Sequence, residues 1–370
     1  MAKNLFYPLA LAGVRELAPY QPGKPIEELE REYGVENAIK LASNENPLGA
    51  SPLVTEAAYR ALKDISRYPD GSGYALKAAL SSYLGISADQ ITLGNGSSDL
   101  LEFVARVFVS HEHEVVYSQY CFAMYPLFTK ILGAQGQVVP AKNFGHDLEA
   151  MARAINKQTR LVYIANPNNP TGTWLSADEL EAFLSHIPTH VLVVLDEAYY
   201  EYVGNHINYP NSLAWLKIYP NLIITRTFSK AYGLASLRVG YGLSHRDLAD
   251  LMNRVRPPFN VNSLALVAAT VALQDQDHIQ RSQIINRDGM AQLALAFTTM
   301  NLDYIPSAGN FVAVDVGEGG KVYEALLRHG IIVRPMVSYD LPRHLRVTVG
   351  QKDENTRFIQ ALAAVLEELR

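Results

Sequence analysis

Lys230 stands in the run Thr227-Phe228-Ser229-Lys230-Ala231-Tyr232-Gly233, directly after the β-branched pattern Leu222-Ile223-Ile224-Thr225. A lysine among apolar and small residues at a strand's end is costly to place unless its amine is used. A desolvated amine loses its proton readily and becomes nucleophilic, so the chemistry on offer is an imine with a carbonyl. Two other apolar strand patterns also end in polar residues. Val191-Leu192-Val193-Val194-Leu195 runs into Asp196-Glu197-Ala198-Tyr199, and Val162-Tyr163-Ile164-Ala165 runs into Asn166-Pro167-Asn168-Asn169-Pro170-Thr171-Gly172. In open α/β sheets, ligands sit beyond the carboxyl ends of the strands, so the three sets are placed to meet.

These residue types divide the work around an aldehyde-bearing pyridine, which is to say pyridoxal phosphate. Asp196 facing the pyridine nitrogen keeps it protonated and makes the ring an electron sink. The Tyr199 hydroxyl and the Asn169 amide are suited to the ring's phenolic oxygen. Lys230 forms the imine, is displaced by the substrate amine, and then carries a proton between two carbons. The phosphate needs amides and a cation. Leu93-Gly94-Asn95-Gly96-Ser97-Ser98-Asp99 leads a strand into a helix, so Gly96, Ser97 and Ser98 offer free N–H groups at a positive dipole end. Arg238, shortly after Lys230, supplies a charge-assisted contact, with hydroxyls from Thr227 and Ser229. Phe122 is the candidate, by position, for an aromatic ring over the cofactor face.

The elements that must position these groups alternate between short apolar runs and helical patterns, as in a mostly parallel sheet covered on both faces. Seven strands are expected: Gln90–Leu93, Glu114–Ser118, Gln137–Pro140, Leu161–Ala165, Val191–Leu195, Leu222–Arg226 and Val239–Leu243. Helical periodicity covers Ile26–Tyr33, Ser51–Ala61, Tyr74–Leu84, Asp99–Val109 and Ala177–Leu184. Beyond Arg256-Pro257-Pro258-Phe259 the character changes. Helices are expected over Ser263–Gln274, Asp277–Thr298 and Glu354–Leu369, and strands of a small half-exposed sheet over Phe311–Asp315 and His344–Val349. The fold class is therefore α/β, a large domain over 46–275 and a smaller α+β domain built from 1–45 and 276–370.

Composition bounds the function classes. With 370 residues, 48% apolar and 19% charged, the chain reads as an ordinary globular protein of more than one core. A net charge of −5 and no basic run argue against nucleic acid or an acidic membrane as partner. The lone Cys121 excludes a disulfide framework and reads as a small buried hydrophobe. Met1 to Gly13 has a short apolar stretch broken by Pro8, without a cleavage pattern and too short to span a bilayer, so a cytoplasmic location is expected.

Taken singly, each signal has a plainer reading. Asp196 alone is a helix cap, and Gly94-Asn95-Gly96 a turn. His111-Glu112-His113-Glu114 suggests a metal, but it falls in a surface connection before a strand and is set aside. Asn95-Gly96-Ser97 matches a glycosylation pattern and is set aside on location. None of these plain readings accounts for Asn169, Asp196, Tyr199, Lys230 and Arg238 in order on successive strand ends.

Asn169–Gly172, Asp196–Tyr199, Ser229-Lys230 and Arg238 together resemble the aspartate-aminotransferase superfamily of pyridoxal-phosphate enzymes, fold type I. More narrowly, the chain is similar to the histidinol-phosphate aminotransferase family. That likeness rests on Pro19–Pro25, Leu41–Gly49, Arg67–Asp70, Gly330–Arg334 and Leu345–Gly350, and runs from about Gly13 to the C-terminus. The resemblance implies a homodimer in which Tyr68 reaches the cofactor phosphate of the other protomer. It also implies a substrate pocket lined by Tyr20, Asn44, Asn169, Arg334 and Arg346. The implied substrates are L-histidinol phosphate as amine donor and 2-oxoglutarate as acceptor. Two arginines suit a site that holds a phosphate in one half-reaction and carboxylates in the other. Two departures stand out: Ser236 where the family commonly has glycine, and Phe122 where tyrosine is frequent. An aromatic amino acid transaminase and a threonine-phosphate decarboxylase on the same scaffold remain rivals. A ligand-sensing relative without catalysis is disfavoured, since little chain precedes Tyr20 or follows the last helix and Lys230 and Asp196 are both present.

Overall fold

The β-branched runs and the amphipathic stretches between them pack into a central sheet with helices on both faces. The computed structural model describes residues 5–19, 23–203 and 208–369. A short strand β1 (Ile39–Lys40) precedes the central sheet, whose members in chain order are β2 (Ile91–Gly94), β3 (Glu114–Ser118), β4 (Gln135–Val139), β5 (Thr159–Ala165), β6 (Leu192–Asp196), β7 (Leu222–Thr227) and β8 (Gly240–Ser244). Their spatial order is β2-β8-β7-β6-β5-β3-β4. All neighbours are parallel except β8, which runs antiparallel to both β2 and β7. All seven expected strands are present, Glu114–Ser118 with the same ends and the others with ends moved by at most two residues.

Strands β6 and β7 are buried along their whole length, as continuous apolar runs require when helices cover both faces. One face packs Val193, Leu195 and Ile224 against helices that include Tyr74–Leu84 and Ser263–Ala272. The other packs Tyr163, Val194 and Ile223 under the helix Ser97–Phe108.

The second sheet is antiparallel, in the order β12-β13-β10-β9, from β9 (Tyr304–Ile305), β10 (Phe311–Asp315), β12 (Arg334–Pro335) and β13 (His344–Thr348). A remaining strand, β11 (Ile331–Ile332), pairs in parallel with β1. That pairing is too short to leave a sequence period, yet it ties the segment before Asn44 to the C-terminal part of the chain. The helix Gln276–Thr299 joins the two cores, with Ile279 in the central one and Leu293 and Phe297 in the C-terminal one. The division expected at 275/276 falls at the start of this shared helix. No helix among the described residues is long and apolar enough to cross a membrane.

Candidate active site

Strands β5, β6 and β7 lie side by side, β5 and β6 ending together at Ala165↔Asp196 and β7 running two residues past Asp196↔Thr225. Their carboxyl ends open into a cavity of about 160 Å³. Into it converge Asn169, Asp196 and Tyr199, Thr227 at the end of β7, and Ser229 and Lys230 just beyond it, together with Ser97, Ser98, Phe122 and Arg238.

Asp196 is 4% exposed. Tyr125 donates to its Oδ2 at 2.9 Å and Thr225 to its Oδ1 at 3.1 Å. Burial pushes the carboxyl up to about 6, and the two hydroxyls oppose that rise. Lys230 is half-buried at the cavity, its Nζ donating to the Ser43 carbonyl at 3.0 Å. Burial lowers its amine to about 7, helped by the positive charge of Arg346. A near-neutral pKa leaves a substantial share of the amine unprotonated, as a nucleophile or base requires. Burial also raises the Tyr199 phenol, to about 12, while Arg346 and the Asn44 amide hold it back.

The N-terminal segment closes one side. Asn44, fully buried in the left-handed conformation (φ 55°), donates from Nδ2 to the Tyr199 hydroxyl at 2.8 Å. Its backbone N–H and its Oδ1 both meet the Thr348 hydroxyl of β13, at 2.9 and 3.2 Å. Arg346 donates to Asn169 Oδ1 at 2.6 Å and to the Ala42 carbonyl at 2.8 Å. The carbonyl oxygen of Asn169 is thus engaged, which leaves its NH₂ as the group able to face a ligand. Phe311 supports both partners: its ring meets that of Tyr199 edge-on at 5.1 Å, and the Arg346 guanidinium lies 5.3 Å from its centroid.

The anion cradle forms where β2 turns into the helix Ser97–Phe108. Gly96 caps that helix at φ 84°, and a Cβ there would lie 2.3 Å from Arg238 Nη2. Only glycine therefore lets the exposed guanidinium approach the helix N-terminus. Arg238 Nη1 donates to Ser229 Oγ at 3.2 Å, and Thr227 Oγ1 donates to the same oxygen at 2.9 Å. An anion at an exposed helix N-terminus gains about 0.3–1 kcal/mol from the dipole alone, so the arginine is needed for firm binding. A cradle kept open by glycine, a buried carboxylate and a deprotonatable amine fit the phosphate, ring nitrogen and aldehyde of pyridoxal phosphate.

Other expected residues lie apart. Arg334 opens β12 in direct register with Arg346. Arg346 itself stands in the middle of β13, which runs on through Thr348. Tyr68 is 83% exposed, stacked on Phe259 at 4.7 Å, and is not among the cavity's lining residues. Tyr20 lies outside the described residues. Cys121 is buried in the core beside Tyr125, and its thiol is raised to about 12 by burial. His113 is engaged with Ser110 and Arg160.

Sequence reasoning does not single out Tyr125 or Phe311. A signal for Tyr125 exists. It stands three residues after Phe122, in the first turn of the apolar helix Met124–Ile131, and a buried tyrosine hydroxyl there needs a partner. Phe311 leaves none, since nothing distinguishes it from any other strand phenylalanine.

Fold and cleft together are those of a fold-type-I aminotransferase. More particularly, the chain belongs to the class I and II aminotransferase family, whose model matches residues 36–362. It is 73% identical to histidinol-phosphate aminotransferase 1 of Nitrosococcus oceani, over 100% of both chains. It is 56% identical to histidinol-phosphate aminotransferase 2 of Pseudomonas fluorescens, over 98% of each. The solved structure of histidinol-phosphate aminotransferase from Sinorhizobium meliloti, in complex with pyridoxal-5'-phosphate, matches with a TM-score of 0.87. It is 32% identical and covers 97% of this chain and 98% of that one.

Proposed function

We propose that this chain is a pyridoxal-phosphate enzyme that moves the amino group of L-histidinol phosphate to 2-oxoglutarate in two half-reactions at one site, yielding imidazole acetol phosphate and L-glutamate. The observation that carries the substrate assignment is the pair of arginines in register on β12 and β13. Directly opposed residues of antiparallel strands present their side chains to the same face, so Arg334 and Arg346 offer two cations side by side. A phosphate and a carboxylate each match the planar fork of a guanidinium. The full-length identity to enzymes named for this substrate supports the same reading.

When bound, pyridoxal phosphate supplies an aldehyde and an electron-accepting ring. The residues do the rest. Lys230 would hold the cofactor through its amine, make way for the substrate's amine, and hold or return the proton at the reacting carbon. Asp196 would hold a negative charge against the ring nitrogen. Tyr199, held by Asn44, and Asn169, held by Arg346, would donate to the ring oxygen. Gly96, Ser97, Ser98, Thr227, Ser229 and Arg238 would hold the phosphate, and Phe122 would cover the ring face.

The proposal includes a homodimer with shared sites, in which Tyr68 serves the cleft of the other protomer. Tyr68 stands out in solvent, and Tyr59, Ile65 and Tyr74 are exposed along the same stretch of chain. Hybrids of a Lys230→Ala protomer and a Tyr68→Ala protomer are expected to regain activity that neither homodimer has, because one of their two sites is intact. No gain on mixing and refolding would place Tyr68 outside the site. We place the enzyme in the cytoplasm, on its single buried cysteine and its aqueous small-molecule substrates.

The deciding experiment is single turnover of the holoenzyme with L-histidinol phosphate and, separately, L-phenylalanine, followed by visible absorbance. Rapid loss of the lysine-bound cofactor's band with the phosphate ester supports the assignment. Faster conversion by phenylalanine moves the enzyme to the aromatic group. In the same assay, Arg334→Ala is expected to lower kcat/KM for histidinol phosphate by about 10–100-fold, the value of a charge-assisted contact. Its effect on phenylalanine should be slight, and equal losses on both substrates would remove Arg334 from the phosphate subsite.

A further inference from the structure

On the far side of the strand ends that form the cleft lies a buried charged pair with no part in the steps above. Glu197 follows Asp196, and Arg226 stands between Thr225 and Thr227. Alternation along a strand turns Glu197 and Arg226 away from the cleft that Asp196 and Thr227 line. Arg226 Nε donates to Glu197 Oε2 at 2.8 Å, and Nη2 of the same guanidinium lies 2.8 Å from that oxygen, with the side chains 2% and 0% exposed. Tyr200 lies over the guanidinium, its ring centroid 3.5 Å from Cζ. Its ring in turn tilts against Tyr209 at 6.1 Å, and the Tyr209 hydroxyl donates to the Asn166 carbonyl at 2.5 Å. Asn166 opens the loop that carries Asn169. One chain of contacts thus joins the ends of β5, β6 and β7 from behind.

Stability does not account for charges in this place. Taking two ions out of water usually costs more than their attraction returns, and apolar residues of equal size commonly serve as well or better. Direction is what an ion pair adds. The pairing of β6 with β7 runs to Asp196↔Thr225 and closes with the Glu197 N–H donating to the Thr225 carbonyl at 2.8 Å. Past Glu197 the chain of β6 leaves the sheet, while β7 continues beside β8 alone to Thr227, so Lys230 follows a strand end that β6 no longer supports by backbone bonds. The Nε hydrogen bond with Nη2 close to the same oxygen holds at a single register, even though Nη2 and Glu197 Oε1 have no hydrogen-bond partner of their own, whereas apolar contacts tolerate sliding. A slip of one residue here would turn Asp196 out of the cleft.

We propose that the Arg226–Glu197 pair, with Tyr200 and Tyr209, is a positioning device that sets Asp196, Lys230 and the Asn169 loop at the spacing the cofactor requires. The inference rests on reading the cleft as a pyridoxal-phosphate site. Neither Arg226 nor Glu197 touches the cofactor, so both act through the residues beside them.

The test compares full-length wild type with the double variant Glu197→Leu/Arg226→Met and with Arg226→Lys. Removing both charges together leaves neither member of the pair buried alone, and Glu201, whose carboxyl burial already raises to about 7 against the pull of Arg226, can take up a proton, so the apo-protein of the double variant should unfold within about 5 °C of wild type. Its affinity for pyridoxal phosphate should fall about tenfold or more, and kcat by about 10–100-fold with KM for the donor little changed, as misplacement of about 1 Å brings. The visible circular dichroism of the bound cofactor should change with them. Arg226→Lys keeps the charge but loses the two-nitrogen contact, and should show the same signature more weakly. A folded variant with wild-type cofactor affinity, dichroism and kcat overturns the positioning role. So does a loss of thermal stability unaccompanied by those changes, and so does failure of both variants to fold, which assigns the pair to stability alone. Absence of bound cofactor in the wild type would instead show that the cleft is not a pyridoxal-phosphate site.

Discussion

Lys230→Ala is expected to lower kcat by about four orders of magnitude, the upper range for loss of a positioned acid–base group that also acts as nucleophile. The variant should still fold and hold pyridoxal phosphate through Asp196, Tyr199 and the Gly96–Arg238 cradle, but without a covalent link. Borohydride reduction followed by peptide mapping checks this directly: the wild type should carry the cofactor on Lys230, and the variant on no residue. Retention of even a tenth of wild-type turnover would sink the mechanism. The substitution has a second consequence in the apo-protein. The folded-state pKa of Lys230 is depressed to about 7, so the folded chain holds fewer protons than the unfolded chain between there and the ordinary lysine value. Wild-type stability should therefore rise with pH across that window relative to Lys230→Ala, and thermal melts of both apo-proteins at pH 7 and pH 9 measure the difference.

Asp196→Asn is expected to reduce kcat by about 10²–10³-fold, the scale seen when one fixed electrostatic partner is removed from a buried site. The amide keeps the shape and can still meet Tyr125 and Thr225, but it carries no charge to hold the ring nitrogen protonated. Cofactor affinity should fall as well. The wild-type carboxyl, raised to about 6 by burial, is an anion above that value and neutral below it. Affinity of the wild-type apo-protein for pyridoxal phosphate should thus weaken as pH drops through about 6, and the asparagine variant should lack this dependence. Equilibrium binding of the cofactor at pH 5 and pH 8 distinguishes the two. An unchanged kcat in Asp196→Asn would mean that the ring nitrogen is protonated by another group, and Asp196 would keep only a structural role.

Much of the cleft is legible in the amino-acid sequence, for a local reason. A parallel sheet delivers the carboxyl ends of adjacent strands to one edge, so polar residues just after apolar runs must gather there. That rule places Asn169, Asp196, Tyr199 and Lys230 in one cavity, and the strand-to-helix turn at Gly96 places the anion cradle. Arg346, Arg334 and Asn44 are reached only through family resemblance, because each comes from a segment whose route to the cleft depends on pairings formed at a distance. Asn44 reaches Tyr199 because β1 pairs with β11 and because Thr348 holds it from across the chain. No period of two residues can announce a two-residue strand.

Which groups orient the chemistry is a different matter from which groups perform it. The chemistry-bearing residues are rare types in apolar surroundings, and the order of residues along the chain already shows that they exist, how they follow one another, and on which class of sheet they stand. Their supports are ordinary residues. Tyr125 under Asp196, Phe311 beneath Tyr199 and Arg346, and Glu197 against Arg226 all resemble core or surface side chains until their neighbours are known. Packing in three dimensions assigns them these places. A hydrogen bond to a buried carboxylate depends on a few tenths of an ångström and on residues far apart in the chain, whereas the hydrophobic pattern that builds a sheet is written in neighbouring residues.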